Sequence, residues 1–253
     1  MTLSLRSSLL TGLGFRHGFS LRAGGVSAGP YASLNLGQQV GDDPAAVRQN
    51  RERFAAEVGY APERLYEVRQ VHGCHVERAC AEQAPAQVGE RAADALISRE
   101  VAVAVKVADC VAVLLACPKT GAVAAAHAGW RGVVANTVQA TVDALAAAYG
   151  SRASDLVAAV FPCIGPEAFE VSDEVAQQLA EAVGSAQVVL PRAPRPHVWL
   201  GRAVCLQLAR AGLLAERVDA LPGCTFDDSA RFFSYRRDGG VTGRHLAAII
   251  PQC

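Results

Sequence analysis

Strand-like and helix-like segments alternate along this chain, and that alternation predicts an α/β fold. Three observations carry the prediction. Short Val- and Ala-rich runs crowd the middle of the sequence, amphipathic segments with cap residues lie on both sides of them, and no repeat period or linker interrupts the 253 residues. Hydrophobic residues make up 51% of the chain and charged residues 19%, a balance that calls for a packed interior rather than disorder.

The opening stretch is rich in Gly, Ser and Asn, and LRAGGVSAGPYASLNLGQQVGDDP reads as one long polar loop with Gly-Gly and Gly-Pro turns. A helix follows. Asp43 is its N-cap, Pro44 its first residue, Val47, Phe54 and Val58 its apolar positions, and Gly59 its stop. RLYEVRQVHG alternates and reads as a strand with His72 at its exit, and ADALIS is a shorter apolar piece. VAVAVKVADC, VAVLLAC and AVAAAHAG are three runs suited to a central sheet. After Gly132, VVANTVQATVDALAAAYG reads as a helix closed by Gly150. DLVAAVFPCIGP is a strand, SDEVAQQLAEAVG a helix capped by Ser172, LGRAVCLQLARAGL an amphipathic helix, and RHLAAII a last strand.

Pro118, Lys119, Thr120 and Gly121 form a turn signal between two of the central runs. A hairpin there sets Cys117 opposite Ala122, and the same register sets Cys110 opposite Gly129. His127 then shares a face with Cys110 as its diagonal neighbour, about 7–8 Å away along the backbone. A loop one residue longer or shorter would put the two on opposite faces.

Of six histidines, His72 and His127 sit at strand ends with a glycine close behind, where a sheet rim opens into a pocket. One thiolate from Cys110 and two imidazoles can hold zinc with a fourth position open, the pattern of a catalytic site. Equally, all three residues can have structural roles, as a buried thiol and hydrogen-bonded rings. Two other chemistries use the same residues. A metal-free Cys110 and His127 pair would make a cysteine hydrolase and leave His72 spare. A blue-copper site adds an axial Met, and Met1 is the only methionine here, so oxidation at copper fits the ligand count poorly. Arg22, Arg51, Arg131, Arg236 and Arg237 are candidate anion binders, each with solvent exposure as the default. Cys163 could line the pocket, though a packed thiol is the simpler reading, and Cys74 is a decoy or an accessory ligand.

Lys plus Arg and Asp plus Glu number 24 each, which leaves no field to draw nucleic acid or an anionic membrane. No apolar run reaches transmembrane length, and MTLSLRSSLLTGLGF has no cleavage signature. A cytoplasmic location is expected. Eight cysteines without a C-x-x-C pair indicate reduced thiols rather than a disulfide frame or zinc ribbon. The sequence sets no oligomeric state and is compatible with a monomer.

RAGGVSAGPYASLNLGQQVGDDPAAVRQNR, RQVHG, ADAL, VADC, AHAGWRG, CIGPEAFEV and FFSYRRDGGVTGR occur in that order. Together they resemble the YfiH-type laccase-domain family, also called purine nucleoside phosphorylases of that family, over almost the whole chain. The resemblance implies one domain over residues 1–253, a layered sandwich of mixed β-sheets with flanking helices. It implies a metal site of His72, Cys110 and His127, with zinc as the cofactor and copper as the alternative. It implies phosphorolysis of adenosine, inosine and methylthioadenosine, with nucleoside and phosphate as the small-molecule partners, together with deamination of adenosine. Some members are called polyphenol oxidases, and bacterial members similar to this chain are linked to editing of peptidoglycan precursors. Asn35 of SLNLG and Arg51 of QNR look like the family's residues at the nucleoside and phosphate end. A Glu proton shuttle of the H-x-E kind is not visible, and Asp109 is the acid nearest Cys110 in sequence.

Overall fold

The computed structural model describes residues 2–252. Met1, the one methionine, lies outside them. In chain order the elements are β1 (Ser4–Leu5), α1 (Ser8–Gly12), β2 (His17–Ser20), α2 (Pro44–Val58), β3 (Leu65–Tyr66), β4 (Val76–Arg78), α3 (Pro85–Gly89), β5 (Ala95–Ser98), β6 (Ala102–Val107), β7 (Val111–Ala116) and β8 (Val123–Ala128). They continue with α4 (Trp130–Val134), α5 (Thr137–Tyr149), β9 (Val157–Val160), α6 (Asp173–Val183), β10 (Val189–Leu190), β11 (His197–Val198), α7 (Leu200–Arg210), β12 (Val218–Ala220) and β13 (His245–Ile249).

Two mixed sheets dominate. One runs β1-β2-β13-β6-β3 and the other β12-β9-β7-β8-β5-β4, and β10 with β11 makes a small third. Alternation along each strand decides the layers, since successive side chains point to opposite faces. Val103 and Val105 of β6, Ala247 and Ile249 of β13, and Ala112 and Leu114 of β7 meet between the two sheets, with Phe19 and Phe161 stacked among them at a centroid distance of 5.2 Å. The opposite face of β7, with Val111, Val113 and Leu115, packs under Val138, Val142 and Leu145 of α5 and Val204 and Leu208 of α7. Phe54 and Val58 of α2 cover Ala104, Leu246 and Ala248 on the outside of the first sheet. The order helix, sheet, sheet, helices is the expected layered α/β sandwich. No helix among the described residues is long and apolar enough to cross a membrane.

Helix caps lie where composition puts them. The Asp43 side chain accepts from the Ala45 N–H, Ser172 accepts from the Val175 N–H, and α2 and α5 close on Gly59 and Gly150 in the left-handed region. Three expectations need correction. The strand expected over RLYEVRQVHG shrinks to Leu65–Tyr66, and His72 stands in a loop with φ 61°. The three central runs do not share a sheet: β6 pairs with β13 and β3, whereas β7 and β8 belong to the other sheet. All three are buried on both faces, so hydrophobicity alone cannot separate them. The single helix expected after Gly132 is two, α4 and α5, because Asn136 takes the left-handed conformation at φ 61°.

The hairpin register is the expected one: Val111 pairs with Ala128, Ala112 with His127, and the Cys117 N–H donates to the Ala122 carbonyl at 2.9 Å. Gly121 closes this turn at φ 72°, and a Cβ there would stand 2.3 Å from the Gln252 carbonyl oxygen. Gly121→Ala is therefore expected to destabilise the protein by about 2 kcal/mol or more, from left-handed strain plus a collision with backbone. A urea midpoint unchanged from the parent would contradict this.

Candidate metal centre

The centre is assembled where the C-terminal end of β8 meets the N-terminal end of β7. On the agreed register Cys110 and His127 share the face turned toward the first sheet. His72 arrives from the loop after β3. One donor atom from each of His72, Cys110 and His127 lies within 4.8 Å of the others, and the two imidazoles meet nearly at right angles with centroids 4.7 Å apart. His127 is 2% exposed, Cys110 is partly covered and His72 is open to solvent, so the cluster is closed beneath and accessible above.

Asp94 organises two of the three residues. It is the residue just before β5, and the β5–β8 ladder carries it beside His127, whose N–H donates to the Asp94 carbonyl at 2.7 Å. Its carboxylate, fully buried, contacts His127 Nδ1 at 2.8 Å and accepts the backbone N–H groups of His72 at 2.8 Å and Gly73 at 2.6 Å. The same group that fixes the His127 ring thus also pins the loop bearing His72, an outer-shell arrangement that leaves His127 Nε2 for the cluster. Burial alone would raise the Asp94 carboxyl, yet these hydrogen bonds, with His127 first among them, hold it below the usual carboxylate range.

Gly129 explains the tight approach of the other two donors. A Cβ on it would lie 2.9 Å from Cys110 Sγ and 3.0 Å from His72 Cδ2, closer than real contacts allow. Burial opposes the charged forms of Cys110 and His127, but each favours the other's charge, so the thiol falls below and the imidazole rises above its ordinary value. The pairing thus favours the thiolate, the form of Cys110 that binds a cation, and a cation taking the place of the His127 proton would keep that balance of charge. Sulfur plus two imidazoles is a donor set that suits zinc, and the solvent-facing side leaves room for another ligand.

Asp109 adopts φ 85° at the turn between β6 and β7. Its carboxylate accepts from Thr225 Oγ1 at 2.6 Å and from the Arg236 N–H at 2.7 Å, so it ties the 225–236 segment to the strand rather than facing the cluster. Asn35 is fully buried: its Oδ1 accepts from the Gly37 and Arg244 N–H groups and its Nδ2 donates to Asp42. Arg51 donates to the Leu36 carbonyl and pairs with Glu67, which also holds Lys106. Burial would raise the Glu67 carboxyl, but the two cations bring it down to about 2. Asn35 and Arg51 thus stand behind the polar loop with their polar atoms engaged by protein. Cys163 is buried beside Gly201, and desolvation pushes its thiol up to about 12. Cys74 is exposed and stands outside the cluster.

Sequence reasoning missed Asp94. Extending the β5–β8 pairing from ADALIS to AHAG would have found it, since that register lays the acid against the histidine.

The architecture and the rim cluster together define a class: a mixed α/β protein with a His, Cys and His centre suited to a metal ion. The chain belongs to the family described as multi-copper polyphenol oxidoreductase laccase, whose sequence model matches residues 16–252. It is 42% identical over 239 residues to a protein of Deinococcus radiodurans named purine nucleoside phosphorylase, covering 93% of this chain and 89% of that one. A Pseudomonas aeruginosa protein of the same designation is 40% identical over 235 residues, with 91% of each chain covered. Among solved structures, YlmD from Geobacillus stearothermophilus superposes with a TM-score of 0.89 at 31% identity over 100% of both chains. YfiH from Bacillus licheniformis gives 0.88 at 26% identity over 93% of this chain and 92% of that one.

Proposed function

We propose that this chain, working as one domain, is a zinc-dependent purine nucleoside phosphorylase acting on adenosine, inosine and methylthioadenosine. The observation that carries the reading is the convergence of His72, Cys110 and His127 at an accessible rim, in a chain whose relatives at about 40% identity bear that name. In the reaction a phosphate oxygen bonds to the sugar carbon C1′ as the bond from C1′ to the purine nitrogen breaks. The electron pair leaves with the base, and the proton of hydrogen phosphate ends on the purine.

His72, Cys110 and His127 would hold zinc, which supplies Lewis acidity beside the reacting groups. The protein's own residues do the rest. Asp94 fixes the His127 ring and the His72 loop in one geometry, which keeps the donors in place between turnovers. Gly129 leaves the space over the sulfur free of a side chain. Asn35 and Arg51 enter as positioning residues that hold the polar loop and the start of β13 against the site.

Deamination of adenosine belongs to the same reading as a secondary activity. Asp94, bonded to His127, and Asp109, next to Cys110 in the chain, are both engaged by backbone or side-chain donors, so neither is free to pass a proton to the leaving amine and deamination is expected to be the slower reaction. Oxidation of phenols at copper is the less favoured reading on ligand count, since His72, Cys110 and His127 are the one candidate metal cluster among the described residues and serve a single ion, not several coppers.

Incubation with inosine, with and without phosphate, tests the proposal. Phosphate-dependent formation of hypoxanthine and ribose 1-phosphate is expected. Hypoxanthine appearing equally without phosphate would make the protein a hydrolase, and none under either condition would reject a role in purine cleavage.

A further inference from the structure

The segment FFSYRRDGGVTGR delivers three arginines to the end of the sandwich that carries the cluster, and the structure gives them different tasks. Arg237 is turned inward, donating to the carbonyls of Thr225, Phe226 and Phe232 and to Asp238. Arg236 donates to the Glu170 carbonyl and lies over the Phe169 ring. Arg22 and Arg51 are held by the Ala32 and Ser229 carbonyls and by Leu36 and Glu67. Arg131, the cation just after Gly129, lies exposed over the Trp130 ring. Arg236 and Arg244 each keep an Nε and Nη2 edge with no partner among the described residues, but Arg236 is exposed whereas Arg244 is half-buried. No ion pair among the described residues uses Arg244, and its Nη1 meets the carbonyls of Thr242 at 2.8 Å and Gly243 at 3.1 Å.

Its position is built. The Arg244 N–H donates to Asn35 Oδ1, and its carbonyl accepts from the Leu36 N–H. The side-chain stem lies on Gly37, where a Cβ would come within 2.8 Å of Arg244 Cγ. The guanidinium rests against the Tyr235 ring, 5.5 Å from its centroid. Arg244 opens β13, and β13 pairs with β6 so that His245 stands opposite Val107, three residues before Cys110. The guanidinium is therefore brought to the same rim as the sulfur. Burial lowers its proton affinity, and Tyr235 and Cys110 are the first groups whose charge acts against that.

A desolvated guanidinium with a free edge is a strong site for a tetrahedral oxyanion, because it offers two parallel N–H donors in a low-dielectric setting. We propose that Arg244 is the phosphate-binding residue of this site, held in place by Asn35 and Gly37. This rests on the phosphorylase reading for its part in catalysis, but the binding of inorganic phosphate can be measured without turnover. It also gives Asn35 and Arg51 their role: Asn35 holds the Arg244 backbone, and Arg51 holds Leu36, the residue paired with it.

The test compares the parent with Arg244→Gln, using inorganic phosphate as the probe. Thermal midpoints are read across a phosphate titration, and steady-state rates are read with inosine at varied phosphate. Stabilisation by phosphate is expected in the parent and absent in the variant. The KM for phosphate is expected to rise at least tenfold, with the KM for inosine within twofold of the parent. Arg244→Lys, which keeps the charge but not the paired donors, should fall between. Gly37→Ala, which pushes the stem aside without removing the charge, should weaken phosphate binding in the same direction and covers the case in which Arg244→Gln does not fold. Retention of the phosphate-dependent midpoint shift or of the phosphate KM in Arg244→Gln would overturn the assignment. A parent that binds phosphate through Arg244 yet never releases base in a phosphate-dependent way would keep the assignment and remove the phosphorylase reading.

Discussion

Cys110→Ser is expected to lose zinc at least a hundredfold more readily than the parent and to have no measurable phosphorolysis, while keeping its fold. The reason is chemical rather than steric. A hydroxyl occupies nearly the same space but does not ionise near neutral pH, so the soft anionic donor at the centre is gone. The Cys110 side chain makes no backbone hydrogen bond that the strand pairing depends on, and β7 remains paired with β8 and β9. Asp94→Asn should be milder for metal and harsher for the fold. Its effect on metal affinity is expected at about 10- to 100-fold, the usual range for an outer-shell carboxylate. One amide nitrogen would also face the N–H groups of His72 and Gly73 in a buried site, which should cost about 1–3 kcal/mol. Metal analysis after dialysis against a chelator, with urea unfolding alongside, checks both. Full zinc content in Cys110→Ser would remove the thiol from the ligand set.

The second large effect is acid lability from two histidines outside the cluster. His17 and His245 are buried, and both hold the same neutral tautomer in the same way. Nδ1 of His17 faces the Phe15 carbonyl at 2.8 Å while Nε2 accepts the Ser7 N–H at 2.8 Å. Nδ1 of His245 faces the Ser20 carbonyl at 2.7 Å while Nε2 accepts the Phe233 N–H at 2.8 Å. A second proton would point at an N–H, and burial disfavours the charge as well. Burial accordingly lowers both histidines from 6.5, that of His245 to about 3. Below pH 6.5 the unfolded chain takes up protons that the native state refuses, so stability is complete above that pH and drains as pH falls. At about pH 5 His245 alone should remove about 2 kcal/mol, since each pH unit is worth about 1.4 kcal/mol. Carboxylates such as Glu67 add their own loss only in more acid solution. Urea midpoints between about pH 7 and 5 measure the slope, and His245→Asn should lower it by one proton whatever its baseline stability. An unchanged slope in that variant would sink the account.

Much of this was legible in the chain. The Pro118–Gly121 turn fixes the register of β7 on β8, and that register alone puts Cys110 and His127 on one face. The caps of α2 and α6 and the final strand could be read from composition because capping is local chemistry. What could not be read was nonlocal. Runs such as VAVAVKV and VAVLLA are apolar on both faces, and only partner choice, decided by the whole fold, separates β6 from β7. The alternation of its segment predicts a strand at His72, whereas the carboxylate of Asp94 holds that segment as a loop. Arg51 reads in sequence as a free cation on a helix. Its pairing with Glu67 depends on β3 lying beside β6, where Lys106 completes the trio.

The shared tether at Asp94 couples two of the three donor residues. Because the His127 ring and the loop bearing His72 hang from one carboxylate, neither can drift without dragging on the other, and a single substitution at that acid would loosen both sides of the cluster together.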